Sequence, residues 1–252
     1  MTKEKGGKNR SPFVIAAPPV GFIIIVMPMT AALFDLDGTL IDTAPDIHAA
    51  ASAMLKDLHM PPLAFDAARG YIGDGVVRFV KRALTRQWWG EPRGDVLRRA
   101  ETLMYEHYAR ECTARLLCYD GVRDALRVLQ NKGVAMACVT NKPAVFSAPL
   151  LRESGLSPFF AAVVSGDTLP VKKPNAAPLL AAVKTLGADV HHTWMIGDSA
   201  ADAKAAKAAG CKFAVVRYGY HRNGDLPNAA CVLDKFADVV PLLAGGNAPL
   251  TL

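Results

Sequence analysis

The chain has 252 residues, of which 51% are hydrophobic and 21% are charged, and its formal net charge at pH 7 is +6. This length suits one large domain or a core with an insertion, since a domain takes roughly 100–200 residues. No basic stripe interleaved with aromatic residues is present, which argues against nucleic-acid binding. Part of the excess charge lies in the first ten residues, where four basic side chains oppose one acidic one (Lys3, Lys5, Lys8 and Arg10 against Glu4). A small anionic substrate is enough to explain the remainder.

The cysteines are odd in number and form no CxxC pair (Cys112, Cys118, Cys138, Cys211 and Cys231). Such spacing supports neither a disulfide framework nor a zinc site. Because unpaired thiols are usual in a reducing compartment, we expect a cytoplasmic protein.

Residues 1–28 are predicted to be an extension outside the fold. A basic start followed by the apolar run at 13–27 imitates a secretory signal, but that run is short and interrupted by prolines. Cleavage near residues 30–32 would remove the first strand of the fold. We therefore predict a disordered or loosely packed extension, or a translation-start artefact, with a membrane tether as the alternative.

The first predicted strand, at 31–34, ends in two aspartates and a glycine, Asp35, Asp37 and Gly38. Alternation along the exiting chain lets the two carboxylates converge on one site. Paired carboxylates can hold a divalent cation or divide nucleophile and acid roles.

The pattern then becomes helical for about eighty residues. Apolar residues recur at helical spacing in 44–59, 75–87 and 94–110, with no strand signal between them. This block predicts an all-helical insertion. The turn Gly73-Asp74-Gly75 is expected to face the site.

From Tyr119 onward, helices and strands are predicted to alternate. Strands are predicted at 134–139, 161–164, 193–197 and 213–216. The intervening helices stop at or just before a glycine and are predicted at 122–131, 143–154, 176–186 and 199–209. Such alternation predicts a parallel sheet with right-handed crossovers.

Further polar residues follow three of these strands. Thr140 and Asn141 follow the second strand, Lys173 follows the third, and Asp198 and Asp202 follow the fourth. Since ligands collect at the carboxyl ends of parallel strands, we expect one ligand site at this edge.

These segments, in this order, resemble the haloacid dehalogenase superfamily of aspartate-nucleophile phosphohydrolases. DLDGTL at 35–40 is similar to its first motif, Thr140 to its second, Lys173 before Pro174 to its third, and GDSAAD at 197–202 to its fourth.

The resemblance implies an α/β fold in which a Rossmann-like, doubly wound parallel sheet carries an inserted all-helical cap domain. It covers the chain from about Thr30 to about Val240. Residues 41–46 and 165–174 are similar to the phosphoglycolate phosphatase branch.

The resemblance also implies roles for single residues. Asp35 would be the nucleophile that forms an aspartyl-phosphate, and Asp37 would be the general acid and base. Thr140, Asn141 and Lys173 would bind the phosphate.

Mg²⁺ is the implied cofactor, held by the side chains of Asp35 and Asp198 and the carbonyl of Asp37. Asp202 is expected to orient the site without binding the ion directly. Its spacing from Ser199 also predicts a capping box at a helix start, and the segment from Thr43 to Asp46 is likewise interpreted first as a helix cap and only then as a substrate contact.

The expected organisation is a catalytic core at 29–43 and 117–243, a helical cap at 44–116 and a frayed tail at 244–252. In the cap, Arg78 and Arg82 are the candidates for contact with a substrate carboxylate.

The sequence thus predicts a Mg²⁺-dependent phosphomonoesterase acting on a small phosphorylated metabolite, with 2-phosphoglycolate as the implied substrate. The alternatives are a sugar-phosphate phosphatase (for example on an amino-sugar 6-phosphate), a pyrophosphatase, or a phosphomutase of the β-phosphoglucomutase kind. A non-catalytic phosphate-binding or partner-binding module would be expected to lack the nucleophile or the acid, and both are present. We expect a monomer or homodimer with neither nucleic-acid nor membrane partners.

Overall fold

The computed structural model describes residues 30–221 and 226–244. The predicted extension at 1–28, and all but the first residue of the predicted tail at 244–252, lie outside these residues. Within the described ranges, no helix is long and apolar enough to cross a membrane.

The described residues form eight strands and nine α-helices. The strands are β1 (Ala31–Phe34), β2 (Ile41–Asp42), β3 (Leu117–Cys118), β4 (Ala135–Val139), β5 (Ala162–Val164), β6 (Thr193–Gly197), β7 (Lys212–Val216) and β8 (Cys231–Leu233). The helices are α1 (Ala44–Asp57), α2 (Phe65–Tyr71), α3 (Val76–Thr85), α4 (Gly94–Glu111), α5 (Val122–Asn131), α6 (Ala144–Glu153), α7 (Ala177–Leu186), α8 (Ala200–Ala209) and α9 (Val239–Ala244).

Six strands form one parallel sheet in the order β5-β4-β1-β6-β7-β8. Strand β1 lies between β4 and β6, and Phe34 at its carboxyl end is in register with Cys138 and Ile196. The chain fills one side of β1 with β4 and β5 before crossing to β6, so the winding direction changes beside β1. Ligands of open α/β sheets bind at such a switch point. The predicted doubly wound parallel sheet is confirmed.

Side chains of β1 alternate between two hydrophobic layers, as the two-residue period of a strand requires. Ala32 and Phe34 pack with buried residues of α5 and α9. Ala31 and Leu33 pack on the opposite face with buried residues of α7 and α8. Covering both faces explains why the strand is apolar throughout.

Helices α1 to α4 have a hydrophobic cluster of their own, which includes the fully buried Met54, Leu55 and Val80. Phe146 of α6 joins this cluster, and its ring centroid lies 4.8 Å from the ring centroid of Tyr108 on α4. We call α1 to α4 the helical insertion. The chain enters it after β2 and returns through β3, and these two short strands pair antiparallel.

Five elements were not predicted from the sequence. Helix α2 buries only Ala68, and β8 has three residues of which only Leu233 is buried, so neither shows a clear period. Strands β2 and β3 have two residues each and depend on pairing with one another. Helix α9 comprises six residues at the end of the described chain.

Candidate active site

Asp35 follows β1 directly and continues the ladder of the sheet. Its N–H donates to the carbonyl of Ile196 over 2.9 Å, which directs the chain straight out of the sheet edge. The buried carboxylate accepts from the N–H of Leu36 at 2.7 Å and lies 3.0 Å from Nζ of Lys173. Asp35 is therefore fixed before any ligand binds.

Gly38 allows the turn after Asp35 to approach a second acidic residue. Its φ is +77°, and a Cβ at this position would lie 2.3 Å from Oδ2 of Asp198. A larger residue would combine an unfavourable backbone conformation with a steric clash.

Lys173 is a buried cation beside Asp35. Its ammonium lies 2.6 Å from Oδ1 of Asp202 and donates to the carbonyl of Val139 over 2.7 Å. Burial alone would lower the pKa of Lys173, but the charges of Asp202 and Asp35 outweigh burial and raise it. The side chain is therefore charged and compensates two carboxylates.

Asp202 has both carboxylate oxygens occupied. Oδ1 meets Lys173, and Oδ2 accepts from the N–H and the hydroxyl of Ser199 at 3.0 and 2.6 Å. With the N–H of Asp202 donating back to the Ser199 hydroxyl, this is the capping box predicted at the start of α8.

Three buried carboxylates come together beside β1. Ligand oxygens of Asp35, Asp198 and Asp202 lie within 4.8 Å of one another. Burial, followed by the charge of Asp202, raises the pKa of Asp35 from its usual 3.8 to about 7. Burial and the neighbouring carboxylates also raise the pKa of Asp198. Buried acids with one lysine between them fit a hard cation such as Mg²⁺, which prefers oxygen ligands.

The 218–220 loop holds Asp198 in place. The N–H of Tyr220 donates to Oδ2 of Asp198 over 2.7 Å, and Thr39 donates to Oδ1 over 3.3 Å. From the helical insertion, Arg69 donates to the carbonyls of Tyr218 and Gly219. The insertion thus reaches the acidic cluster through this loop.

Asp37 lies on the other side of Asp35 and has two polar partners. Its Oδ1 accepts from the hydroxyl of Thr43 at 2.6 Å and lies 2.8 Å from the ammonium of Lys142. From the sequence, Thr43 was interpreted first as a helix cap. Thr43 does occupy the N-cap position of α1, but its hydroxyl donates to Asp37 and makes no capping hydrogen bond.

The loop after β4 brings Thr140 and Asn141 to the same edge. The hydroxyl of buried Thr140 accepts the N–H of Lys142 at 3.2 Å. The Asn141 amide donates to the carbonyls of Gly73 and Lys173, and its oxygen accepts the N–H of Lys173. These contacts occupy the amide side chain that was predicted to bind phosphate, so only the main chain of Asn141 is left for that role.

A cleft opens between the sheet edge and the helical insertion. Its polar end is formed by Asp35, Asp37, Thr140, Asn141 and Lys142, and Gly73 and Gly75 line its rim. Apolar side chains from the insertion form the opposite wall: Ile47, Ile72, Val76, Phe79 and Met104.

A family model for haloacid dehalogenase-like hydrolases matches residues 29–210. The phosphoglycolate phosphatase of Nitrosospira multiformis is 44% identical over 205 residues, covering 81% of this chain and 90% of that protein. The plasmid-encoded phosphoglycolate phosphatase of Cupriavidus necator is 43% identical over 229 residues, covering 90% and 97%. This chain belongs to the haloacid dehalogenase-like hydrolases.

Solved structures support the same family assignment. The crystal structure of a predicted phosphoglycolate phosphatase from Haemophilus somnus superposes with a TM-score of 0.78 at 28% identity, covering 86% of this chain and 99% of that one. One from Lactobacillus delbrueckii gives 0.77 at 23% identity, which shows the shared fold alone.

Neither arginine predicted to contact substrate lines the cleft of this hydrolase. Arg82 is fully buried in the insertion, where it pairs with Asp74 at 2.5 Å and stacks 3.5 Å from the ring centroid of Trp88. Arg78 forms an ion pair with Glu91 at 3.2 Å near the surface. Arg82 thus supports the turn at 73–75 instead of facing a ligand.

Two residues of the hydrolase cleft were missed by the sequence analysis. Lys142 directly follows Thr140 and Asn141, yet it was assigned no role. Tyr108 was counted as one apolar position of a helix. The spacing of Lys142 from Thr140 could have suggested its place at the sheet edge, whereas nothing in the helix pattern distinguishes Tyr108 from a core residue.

Proposed function

We propose that this chain is a Mg²⁺-dependent phosphomonoesterase whose substrate is 2-phosphoglycolate. The observation that carries the proposal is the presence of two separately held carboxylates, Asp35 and Asp37, at one end of a cleft that also borders the acidic cluster. The relatives named phosphoglycolate phosphatase support the choice of substrate.

In the first step an oxygen of Asp35 attacks the phosphorus atom, and the bond from phosphorus to the ester oxygen breaks. Asp37 donates its proton to the departing oxygen, which leaves as the hydroxyl of glycolate. The fixed position of Asp35 favours this attack because the carboxylate needs little reorganisation.

In the second step water attacks the phosphorus of the aspartyl-phosphate and the bond to Asp35 breaks. Asp37, now ionised, takes the proton of the attacking water. Inorganic phosphate leaves, Asp35 returns as a carboxylate and Asp37 is protonated again, so the cycle closes without another reactant.

The residues that would hold Mg²⁺ are Asp35 and Asp198 through their side chains and Asp37 through its carbonyl. When bound, the cation would offset the repulsion between the carboxylates and an anionic phosphoryl group. Asp202 supports this set indirectly, because its oxygens are occupied by Lys173 and Ser199.

The phosphoryl oxygens would be bound by the hydroxyl of Thr140, the main-chain N–H of Asn141 and the ammonium of Lys173. The helical insertion would act as the cap, corresponding to residues 44–116, over a core formed by 29–43 and 117–243. Its apolar wall would keep bulk water from the intermediate.

The test is steady-state hydrolysis with Mg²⁺ of 2-phosphoglycolate, an amino-sugar 6-phosphate, pyrophosphate and β-glucose 1-phosphate. We expect the highest kcat/KM for 2-phosphoglycolate and no turnover by Asp35→Asn, which removes a charge and almost no volume. A higher kcat/KM for a sugar phosphate or pyrophosphate would contradict the proposed substrate, and conversion of the 1-phosphate to the 6-phosphate would indicate a mutase. Near-wild-type turnover by Asp35→Asn would contradict the covalent mechanism.

A further inference from the structure

The cleft contains a single cation among the described residues that line it. Lys142 is 5% exposed, and its ammonium lies 2.8 Å from Asp37. The other lysine of the site, Lys173, lies at the acidic cluster, where the proposed function assigns it to the phosphoryl group. Lys142 is thus the positive charge on the side of the cleft that faces the insertion.

Tyr108 presents an unused hydrogen-bond donor in the same place. It is 2% exposed, lines the cleft from α4, and its hydroxyl has no hydrogen bond of ordinary geometry to the described residues. Its ring centroid lies 4.7 Å from the ammonium of Lys142. Burial raises the pKa of Tyr108, so the hydroxyl keeps its proton. A buried donor without a partner is costly, and it points to a ligand that supplies an acceptor.

The position of this pair relative to Asp37 identifies the part of the substrate that it would meet. Under the proposed mechanism, Asp37 contacts the ester oxygen, and Lys142 contacts Asp37. The group attached to that oxygen therefore lies toward Lys142 and Tyr108, away from the acidic cluster. In 2-phosphoglycolate, one methylene separates the ester oxygen from the carboxyl carbon, so the carboxylate falls within reach of both side chains.

We propose that Lys142 and Tyr108 bind the carboxylate of the leaving group and set a preference for small phosphorylated 2-hydroxy acids. This inference rests on the proposed phosphatase function. The ammonium supplies the opposite charge and the phenol a neutral donor, which together can engage both carboxylate oxygens. Beyond them the wall is apolar, with Val76, Phe79 and Met104, and it has few groups to pair with the hydroxyls of a sugar.

The experiment compares 2-phosphoglycolate with 2-hydroxyethyl phosphate, which replaces the carboxylate by a neutral alcohol of similar size. The readout is the ratio of the two kcat/KM values, because a general loss of activity cancels from it. For Tyr108→Phe we expect the ratio to fall roughly tenfold, as for a lost hydrogen bond to a charged group. Lys142→Met should lower it further, and Lys142→Arg should restore part of it.

Matched controls are present in the chain. Tyr105 lies on the same helix and its ring centroid is 5.1 Å from that of Phe146, but it does not line the cleft, so Tyr105→Phe removes a hydroxyl outside the site. Lys207 is exposed on α8, so Lys207→Met removes a distant charge. Both controls should keep the wild-type ratio, and thermal unfolding should show that Tyr108→Phe remains folded.

The outcomes separate this inference from the proposed function. If wild type prefers 2-phosphoglycolate and both cleft variants keep that preference, the assignment of the carboxylate site is wrong and the substrate assignment stands. If wild type hydrolyses both esters with equal kcat/KM, the proposed substrate and the inference fall together. The inference is supported if the ratio of kcat/KM for 2-phosphoglycolate to kcat/KM for 2-hydroxyethyl phosphate falls in the cleft variants and keeps its wild-type value in both controls.

Discussion

Three buried carboxylates lie beside one buried ammonium at the carboxyl end of β1. They belong to Asp35, Asp198 and Asp202, and the ammonium to Lys173. Without a cation this arrangement is electrostatically unfavourable, which explains why burial and like charges raise the pKa of Asp35 and of Asp198. The residues that would bind the metal therefore lower the free energy of unfolding when the metal is absent. Two consequences can be measured.

Asp198→Asn should weaken metal binding and stabilise the metal-free protein. The amide occupies nearly the same volume and removes one negative charge from the cluster, so the metal-free variant should unfold at a higher temperature than metal-free wild type at pH 8. The Mg²⁺ concentration for half-maximal activity should rise sharply. Differential scanning calorimetry in chelator, with activity measured across a Mg²⁺ series, tests both effects, and a lower unfolding temperature would contradict the electrostatic account.

Stabilisation by Mg²⁺ should increase with pH. The folded pKa of Asp35, about 7, exceeds its usual 3.8, so protonation favours the folded state, and this contribution is lost as pH rises through 7. Mg²⁺ requires the ionised carboxylate, so its binding should strengthen over the same interval. The Mg²⁺-induced rise in unfolding temperature should be larger at pH 8 than at pH 5.5, and Asp35→Asn should flatten that difference. A pH-independent rise in wild type would contradict the prediction.

The position of each motif residue at the sheet edge could be predicted, because each one follows a strand that is evident as an apolar run. The partners of Asp37 could not. Thr43 and Lys142 reach it from two different loops, over sequence separations of 6 and 105 residues. Local patterns carry no information on such contacts, so Thr43 was interpreted as a cap.

At the level of elements, one side chain of α3, that of Arg82, connects this helix with the loop before it. Arg82 donates to the carbonyls of Tyr71 and Trp88 and pairs with Asp74, so the end of α2, the turn and α3 meet at one guanidinium. That turn carries Gly73, which Asn141 contacts from the core. The geometry of the cleft rim therefore depends on a residue that does not touch the cleft.

Arg82→Met should destabilise the fold by about 3 kcal/mol, since it removes a fully buried guanidinium that donates to two carbonyls and pairs with the partly exposed Asp74. Arg78→Met is the matched control, because its ion pair with Glu91 is near the surface and should contribute less than about 1 kcal/mol. Urea unfolding of both variants gives the comparison. Equal losses would mean that the burial of Arg82 does not determine its contribution.

Helices α1, α3 and α4 were predictable because their apolar residues recur with a clear helical period. Helix α2 and strand β8 were not, because each buries a single residue and their positions depend on tertiary contacts. Arg69 of α2, for example, is held by the carbonyls of the 218–220 loop, which lies about 150 residues away along the chain.

For the whole molecule, alternation of strands and helices was enough to predict the parallel sheet, whereas the cleft between the sheet edge and the insertion was not predictable. Its lining comes from elements far apart in sequence, with Tyr108 on α4 and Lys142 after β4. The helical pattern identifies an apolar face but does not say which part of it is left uncovered.

Deleting residues 1–28 should leave kcat/KM unchanged and improve solubility. The extension lies outside the described residues, and this prediction rests on its sequence and on the start of the sheet at Ala31. The measurement is activity and soluble yield of the chain that begins at Met29. Failure of that chain to fold would show that the apolar run at 20–27 packs onto the core.

The pairing of β2 with β3 places the two ends of the helical insertion next to each other. Ile41 is in register with Cys118 and Asp42 with Leu117, so the outgoing and returning backbones lie about 5 Å apart. The helical insertion of a relative could therefore replace this one through two neighbouring junctions, without a change in the parallel sheet. Contacts between the insertion and the core, such as those of Phe146, Asn141 and Arg69, would need rematching. With these adjusted, the scaffold is suitable for exchanging leaving-group preference by recombination.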